Sequence, residues 1–247
     1  MKLTPLGHGP GARPLVYAHR GDRSRAPDNT LDAYRLAVVA GADGIELDVR
    51  RSKDGVLMLH HEYRDPAIGV FAQMEFEEIR RAAPSVPTLV EALDVIPADV
   101  YVNVEIKIRP GDTALEADRS MVEETIAQIR EYDEPSRILL SSFDPISMQR
   151  AGTAGHEFLR GQLIAIPIPF DVGLQFAREF GVDAFHPGIA YLGDSPEATV
   201  QTIRRAGMRT VVWGVNTPDD VSTMAGAGVD AIITDDPGMA RNVVDQA

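Results

Sequence analysis

Charged and apolar residues alternate strictly in two short β-rich segments. Segment 44–50 (GIELDVR) carries Glu46 and Asp48 between apolar neighbours, and segment 102–108 (VNVEIKI) carries Glu105 in the same way. Because strand side chains point alternately to two faces, each segment has one apolar and one charged face. Buried unpaired carboxylates cost several kcal/mol, so the charged faces must meet water, an opposite charge or a metal ion. Three carboxylates provide the oxygen ligands preferred by Mg²⁺ or Ca²⁺; a solvated edge hairpin is the alternative.

Two histidines are expected near these carboxylates. His19 and Arg20 end the first predicted strand, where a histidine can transfer protons and an arginine can hold a phosphate or carboxylate. An Asp-Gly pair at 54–55 is typical of a hairpin turn, so the chain turns back after segment 44–50 and brings His61 to the same edge. The sequence therefore predicts an acidic site with two proton-transferring groups.

The elements that must position these groups are eight β-rich runs separated by amphipathic helical patterns. The predicted strands are Leu15–His19, 44–50, 100–108, 137–141, 161–166, 182–186, 209–215 and Ala231–Thr234. The predicted helices between them are 31–40, 114–132, 145–152, 172–180, 196–206 and 218–225, with two shorter pieces at 76–82 and 88–96. One βα unit per roughly 30 residues predicts a (β/α)8 TIM barrel, with a short excursion between its second and third strands. An open doubly wound sheet is the alternative, although no Gly-x-Gly-x-x-Gly loop follows the first strand.

Composition narrows the class of protein. The chain has 247 residues and a formal charge of -13. This length is ample for one hydrophobic core. The absence of cysteine excludes disulfides and thiolate metal sites. Its acidity argues against a general nucleic-acid binder. Segment 1–14 lacks the features of a secretion signal, and no run has the roughly 18 apolar residues of a membrane span. We expect one domain over residues 1–247 with an N-terminal arm at 1–14, located in the cytoplasm, without a nucleic-acid partner or transmembrane segment.

Several short motifs follow one another in a specific order. They are His19-Arg20-Gly21, Pro27-Asp28-Asn29-Thr30, Glu46-Leu47-Asp48-Val49, Lys53-Asp54-Gly55, His61-Glu62 and Asn103-Val104-Glu105-Ile106-Lys107. In this order and spacing the chain resembles the glycerophosphodiester phosphodiesterases over nearly its whole length.

The resemblance implies a TIM barrel that hydrolyses a small-molecule glycerophosphodiester to glycerol 3-phosphate and an alcohol. It also implies one divalent cation, Mg²⁺ or Ca²⁺, with Mn²⁺ as a further possibility, and specifies no oligomeric state. Carried over residue by residue, the metal ligands are Glu46, Asp48 and Glu105, the acid–base pair is His19 and His61, and the phosphate contacts are Arg20 and Lys107. Further residues expected to support these groups or line the pocket are Asn29, Glu62, Asn103, His186, Trp213 and Asn216. For His186 and Trp213, packing in the core is the alternative.

The chain departs from the family pattern at three places. Asp28 stands where the family has Glu, Glu62 stands where it has Asp, and segment 63–84 lacks the usual Arg- and Gly-rich sequence. The resemblance implies that this last segment lies over the active site and shapes substrate choice. Alternative functions are therefore a lysophospholipase D, a phospholyase that forms cyclic phosphates, and a catalytically silent binding barrel.

Overall fold

Eight parallel strands form a closed barrel in the computed structural model, which describes residues 4–7, 9, 11–108 and 119–246. The barrel strands are β1 (Leu15–His19), β2 (Gly44–Arg51), β6 (Tyr101–Ile106), β7 (Ile138–Ser142), β8 (Leu159–Ile164), β9 (Ala184–Pro187), β10 (Arg209–Trp213) and β11 (Ala231–Thr234). Each strand pairs with the next, and β1 pairs with both β2 and β11, which closes the ring. The predicted TIM barrel is confirmed, and all eight predicted strands are present.

Helices follow the strands as the sequence predicts. They are α1 (Leu31–Val39), α2 (Phe76–Ala82), α3 (Leu89–Val95), α4 (Ser120–Tyr132), α5 (Pro145–Ala154), α6 (Phe170–Glu179), α7 (Pro196–Arg205), α8 (Pro218–Ala227) and α9 (Pro237–Val244). The pair Asp236-Pro237 indicates the start of α9, although no range was predicted for this helix, and Asp236 caps it by accepting from the amide of Met239. The predicted helix 114–132 is observed from Ser120 onward, and positions 114–118 lie outside the described residues.

The excursion between β2 and β6 begins with the predicted hairpin. Strand β3 (Leu57–Leu59) runs antiparallel to the end of β2, and a two-stranded ribbon of β4 (Arg64–Asp65) and β5 (Gly69–Val70) follows. Helix α2 then packs its Phe76 and Ile79 into a small apolar cluster of the excursion. The short excursion is therefore confirmed, with an apolar core of its own.

The alternation in β2 and β6 separates two environments. Ile45, Leu47 and Val49 are fully buried in the main core beneath the helices, whereas Glu46 and Asp48 lie on the opposite face, in the barrel interior. A second apolar cluster fills the amino-terminal end of the barrel. Tyr17 belongs to it and donates a 2.7 Å hydrogen bond to the carbonyl of Pro5 in the N-terminal arm. In the strand register Tyr17 lies level with Gly44, so Glu46 and Asp48 lie farther toward the carboxyl end of the barrel.

His186 is a titratable residue in the barrel interior. The residue is fully buried, and neither ring nitrogen has a hydrogen-bond partner among the described residues. Its ring lies over Gly161 of the neighbouring strand, where a Cβ would come within 2.2 Å of Nε2. Burial lowers the pKa of His186 from 6.5 to about 3, so the ring is neutral in the folded protein at neutral pH.

Stability in mild acid is expected to depend on His186. Since the unfolded chain takes up this proton near pH 6.5 and the folded chain only near pH 3, the free energy of unfolding falls as the pH drops through that window. Between pH 7 and pH 4.5, urea unfolding should show a loss about 2–3 kcal/mol larger in the wild type than in His186→Leu. His156→Leu is the control, because its side chain is 90% exposed. Equal losses in the wild type and His186→Leu would contradict the assignment.

Candidate active site

The functional candidates meet in one cavity of about 580 Å³ at the carboxyl end of the barrel. Its polar end is lined by His19, Arg20, Glu46, His61, Asn103, Glu105 and Lys107. Strands β1, β2 and β6 and the turn after β3 supply these residues, since parallel strands present their carboxyl ends at one rim. Residues of segment 63–84 are absent from the described lining, although the resemblance implied that this segment covers the site.

A cluster of three buried carboxylates lies beneath the polar end. Glu46, Asp48 and Glu105 each place one carboxylate oxygen within 4.8 Å of the others. The register explains this, because Asp48 is directly opposite Glu105 on neighbouring strands. Among the described residues, no donor reaches two buried oxygens beside the cavity, Oε1 of Glu46 and Oδ1 of Asn103. Unsatisfied, buried oxygens of this kind fit a hard divalent cation.

Two cations and an amide surround the innermost carboxylate, Asp48. Lys107 Nζ lies 3.0 Å from Asp48 Oδ1 and 2.7 Å from Glu105 Oε1. Arg20 Nε lies 2.9 Å from Asp48 Oδ2, which also accepts a 2.8 Å hydrogen bond from the Asn29 amide. Asn29 and Arg20 both have a left-handed backbone, with φ of 52° and 57°, which turns the loop after β1 back over the rim. Asp48 is thereby held in place from three sides.

Two carboxyl groups of the cluster, Glu46 and Asp48, have pKa values shifted in opposite directions. Burial, reinforced by the charges of Asp48 and Glu105, raises the pKa of Glu46 well above its ordinary value. Burial acts on Asp48 in the same direction, but Lys107 and Arg20 outweigh it, and the pKa of Asp48 falls below its ordinary value. Arg20 and Lys107 offset only part of this shift, and a divalent cation bound beside Glu46 would favour ionisation of that carboxyl group.

Each of the two predicted histidines is paired with a carboxylate. His19 Nδ1 lies 2.7 Å from Asp235 Oδ1, and His61 Nδ1 lies 2.6 Å from Glu62 Oε1. When the imidazole is neutral and Nδ1 donates to the carboxylate, Nε2 is left as a proton acceptor. Burial, together with the charge of Lys107, lowers the pKa of His61 to about 4, so His61 is neutral at pH 7. The arrangement places two oriented imidazole rings in the same cavity as Arg20 and Lys107.

Of the remaining predicted residues, five line the cavity or contact residues of the site, and His186 does not appear in the described lining. Asn29 and Glu62 contact the site as described, and Asn103 and Trp213 line the cavity. Asn216 acts at one remove, because its side chain donates to Asp235 Oδ2 over 3.2 Å and accepts from the Asp235 amide over 2.9 Å. His186 is absent from the described lining; its carbonyl accepts the Trp213 indole N–H over 3.1 Å.

Sequence reasoning missed an apolar wall that forms the other side of the cavity. Phe143, Ile164, Ile166, Ile168 and Phe176 belong to it. Ile166 and Ile168 fall in the loop after β8, whose sequence AIPIP at 165–169 is unusually apolar for a loop, while Ile164 ends β8 and Phe176 lies in α6. That composition is the signal by which the wall could have been recognised.

Asp235 is expected to position His19 for proton transfer. Arg23 also contacts this carboxylate over 2.7 Å, and although burial would raise the pKa of Asp235, His19 and Arg23 lower it to about 2. Asp235→Asn removes the charge that stabilises an imidazolium, and we expect kcat to fall on the order of 100-fold with KM changed little. Steady-state kinetics with glycerophosphocholine test this, with the exposed Asp99→Asn as control. A fall in kcat/KM that resides in KM alone would contradict a positioning role.

The closed barrel and the carboxylate cluster at its mouth define the class of protein as a TIM barrel with a candidate metal-binding active site. Residues 19–239 match the model of a family described as the glycerophosphoryl diester phosphodiesterase family. The chain therefore belongs to this family, and it is a phosphoric diester hydrolase.

Individual relatives agree with the family match. A glycerophosphodiester phosphodiesterase of Caldanaerobacter subterraneus subsp. tengcongensis is 32% identical over 252 residues, which cover 93% of this chain and 97% of the relative. A crystal structure of a putative glycerophosphoryl diester phosphodiesterase from Silicibacter pomeroyi is 25% identical, with a TM-score of 0.85, covering 98% of this chain and 96% of the other. An Oleispira antarctica phosphodiesterase, solved with the product sn-glycerol-3-phosphate, has the same fold, with 22% identity, a TM-score of 0.82 and coverage of 94% and 97%. Among the described residues, no helix is long and apolar enough to cross a membrane.

Proposed function

We propose that the protein hydrolyses glycerophosphodiesters to glycerol 3-phosphate and an alcohol, with the help of one divalent cation. The observation that carries this proposal is the convergence of three carboxylates and two histidine–carboxylate pairs on one cavity. The activities named for the relatives support the choice of substrate.

Glu46, Asp48 and Glu105 would hold the cation, with Mg²⁺ or Ca²⁺ as the first candidates and Mn²⁺ as a third. A divalent cation bound there supplies Lewis-acid polarisation of a phosphoryl oxygen. Arg20 and Lys107 border the same cavity and offset negative charge on the phosphate oxygens. Together with a divalent cation, the carboxylates and these two basic groups give the pocket a net charge of about +1, which suits a singly charged phosphodiester.

His19 and His61 divide the proton transfers between them. One removes a proton from the attacking water or from the 2-hydroxyl of the substrate glycerol, and the other protonates the leaving alkoxide. Asp235 and Glu62 keep the two rings oriented through Nδ1, so that Nε2 is the atom that exchanges the proton. Asn29 and Asn216 contribute by fixing Asp48 and Asp235, respectively.

A substrate panel tests the proposal. Purified protein is incubated with glycerophosphocholine, glycerophosphoethanolamine and glycerophosphoglycerol in the presence of Mg²⁺, Ca²⁺ or Mn²⁺, with EDTA as the control. We expect release of glycerol 3-phosphate that stops with EDTA and returns with excess cation. Phosphorus NMR distinguishes this product from a stable cyclic phosphate, which would indicate a phospholyase. Absence of turnover with every substrate and cation would favour a silent barrel and overturn the proposal.

A further inference from the structure

Exposed apolar side chains are concentrated beside the active-site cavity. The described residues include seven exposed large apolar side chains, and four of these, Ile166, Ile168, Val172 and Phe176, fall within eleven consecutive positions. A fifth, Ile146, follows Pro145, which lines the cavity. Scattered exposed apolar residues are ordinary, but a cluster at the mouth of a cavity marks a binding surface.

Specific contacts hold this apolar surface in place. Gly173 on the inner side of α6 packs against Ile164, where an added Cβ would come within 2.6 Å of its Cγ2. The helix therefore lies close to the barrel and turns Phe176 outward. In the loop before α6, the Ile168 carbonyl accepts a 2.6 Å hydrogen bond from the Tyr191 hydroxyl. The exposed apolar groups are thus presented by an anchored loop and helix.

The apolar surface is continuous with the site of chemistry. Ile166, Ile168 and Phe176 line the same cavity as Glu46, His61 and Lys107 at its polar end. Phe143 and Trp213, whose ring centroids lie 6.1 Å apart, border the cavity as well. A glycerophosphodiester with a small alcohol would cover only a small part of such a wall, whereas an aliphatic chain would remove both surfaces from water.

We propose that this apolar wall binds an aliphatic chain, so that the substrate class is a glycerophosphodiester that carries one alkyl or acyl chain. The proposal rests on the proposed function and adds the substrate to it. The chain is attached either to the glycerol, as in a lysophospholipid, or to the alcohol. In both cases the P–O bond to the alcohol breaks, and water supplies the oxygen on phosphorus and the proton on the alcohol.

Monomeric substrates with and without a chain test the proposal. The probes are glycerophosphocholine, 1-octanoyl lysophosphatidylcholine and glycerophospho-octanol, each used below its critical micelle concentration. We expect kcat/KM to be at least tenfold higher for one of the two octyl substrates than for glycerophosphocholine, and to rise roughly threefold per methylene buried along a chain-length series. The preferred octyl substrate shows whether the chain belongs to the glycerol or to the alcohol. Equal values for all three, or a gain only above the critical micelle concentration, would overturn the proposal.

Variants of the wall provide a second measurement. Ile166→Ser and Phe176→Ser change exposed side chains and are expected to reduce the preference for the octyl substrate at least tenfold. Val39→Ser is the matched control, because Val39 is 79% exposed and lies outside the described lining of the cavity. A preference that the wall variants leave unchanged, or that Val39→Ser reduces equally, would contradict the assignment.

Binding without turnover separates this proposal from the proposed function. Calorimetric titration with octylphosphocholine below its critical micelle concentration, compared with methylphosphocholine, the same phosphodiester without the chain, reports on the contribution of the octyl chain. Binding that weakens at least tenfold in Phe176→Ser supports the apolar site even if no phosphodiester is hydrolysed, in which case only the proposed function fails. Hydrolysis of glycerophosphocholine without binding of octylphosphocholine overturns the apolar site and leaves the proposed function standing.

Discussion

Replacing His61 with alanine is expected to lower kcat for glycerophosphocholine about 10²- to 10⁴-fold, and His19→Ala is expected to have an effect of the same size. Each substitution removes one of the two groups proposed to move protons. The His61 backbone carbonyl, which accepts from the Arg50 guanidinium over 2.8 Å, remains in the alanine variant. The local structure should therefore persist while proton transfer is lost.

His60→Ala is the matched control for this experiment. His60 is adjacent in the chain, but its Nδ1 lies 3.1 Å from the Glu62 carbonyl and its ring packs against Phe71 at 4.7 Å between centroids. We expect its kcat to stay within about threefold of the wild type, since it transfers no proton in the proposed mechanism. Circular dichroism and thermal unfolding confirm the fold of each variant. If His19→Ala and His61→Ala both retained wild-type turnover in a folded protein, the acid–base assignment would be wrong.

Removal of the charge of Glu46, a proposed ligand of the cation, is expected to have the second large effect. In Glu46→Gln, turnover should fall at least about 100-fold, because a proposed ligand of the cation is lost. The same variant should lose cation-dependent thermal stabilisation. For the wild type, a cation at 100 times its Kd adds about 2.7 kcal/mol to the free energy of unfolding, which corresponds to roughly 5–10 °C in Tm for a domain of this size.

The effect of Glu46→Gln on Tm is expected to differ when the cation is removed. Burial and the neighbouring carboxylates already favour the neutral form of Glu46, and glutamine resembles that form. Glu46→Gln should therefore match or exceed the wild type in Tm after EDTA treatment, yet gain little from Mg²⁺ or Ca²⁺. Glu131→Gln on the exposed surface serves as the control and should respond to cations like the wild type. A Glu46→Gln protein with undiminished cation stabilisation would remove Glu46 from the proposed ligand set.

Strand alternation explains why much of the fold and site could be predicted from sequence. The pattern in 44–50 fixes which side chains enter the barrel, and the parallel register then places Asp48 opposite Glu105. Local chain chemistry also fixed the turn at 54–55 that returns His61 to the rim. The alternation and the turn depend on residues within one strand or one hairpin, and consecutive barrel strands are neighbours, so a single sequence was enough to bring these residues together.

Features that depend on neighbouring strands were harder to predict. His186 sits over Gly161, whose missing side chain makes room for the ring, and no pattern within β9 reveals that space. The apolar wall depends on how the loop after β8 folds over the mouth, and the prediction had placed part of that loop in a strand. The range of α9 was not predicted for a simpler reason. Its capping residue is recognisable, but its eight residues form only two turns, which give a short helical pattern.

Closure of the barrel by its last strand has a consequence for folding during translation. Strand β1 needs β11 as its second neighbour, and His19 meets Asp235 across 216 positions of the chain. A growing polypeptide on the ribosome has therefore exposed both histidines, the acidic cluster and the arginine long before the strand that orients His19 emerges. Until then the ring of strands is open on one side. The complete site thus forms only after β11 and Asp235 have been synthesised, so a nascent chain is not expected to act on a phosphodiester before that point.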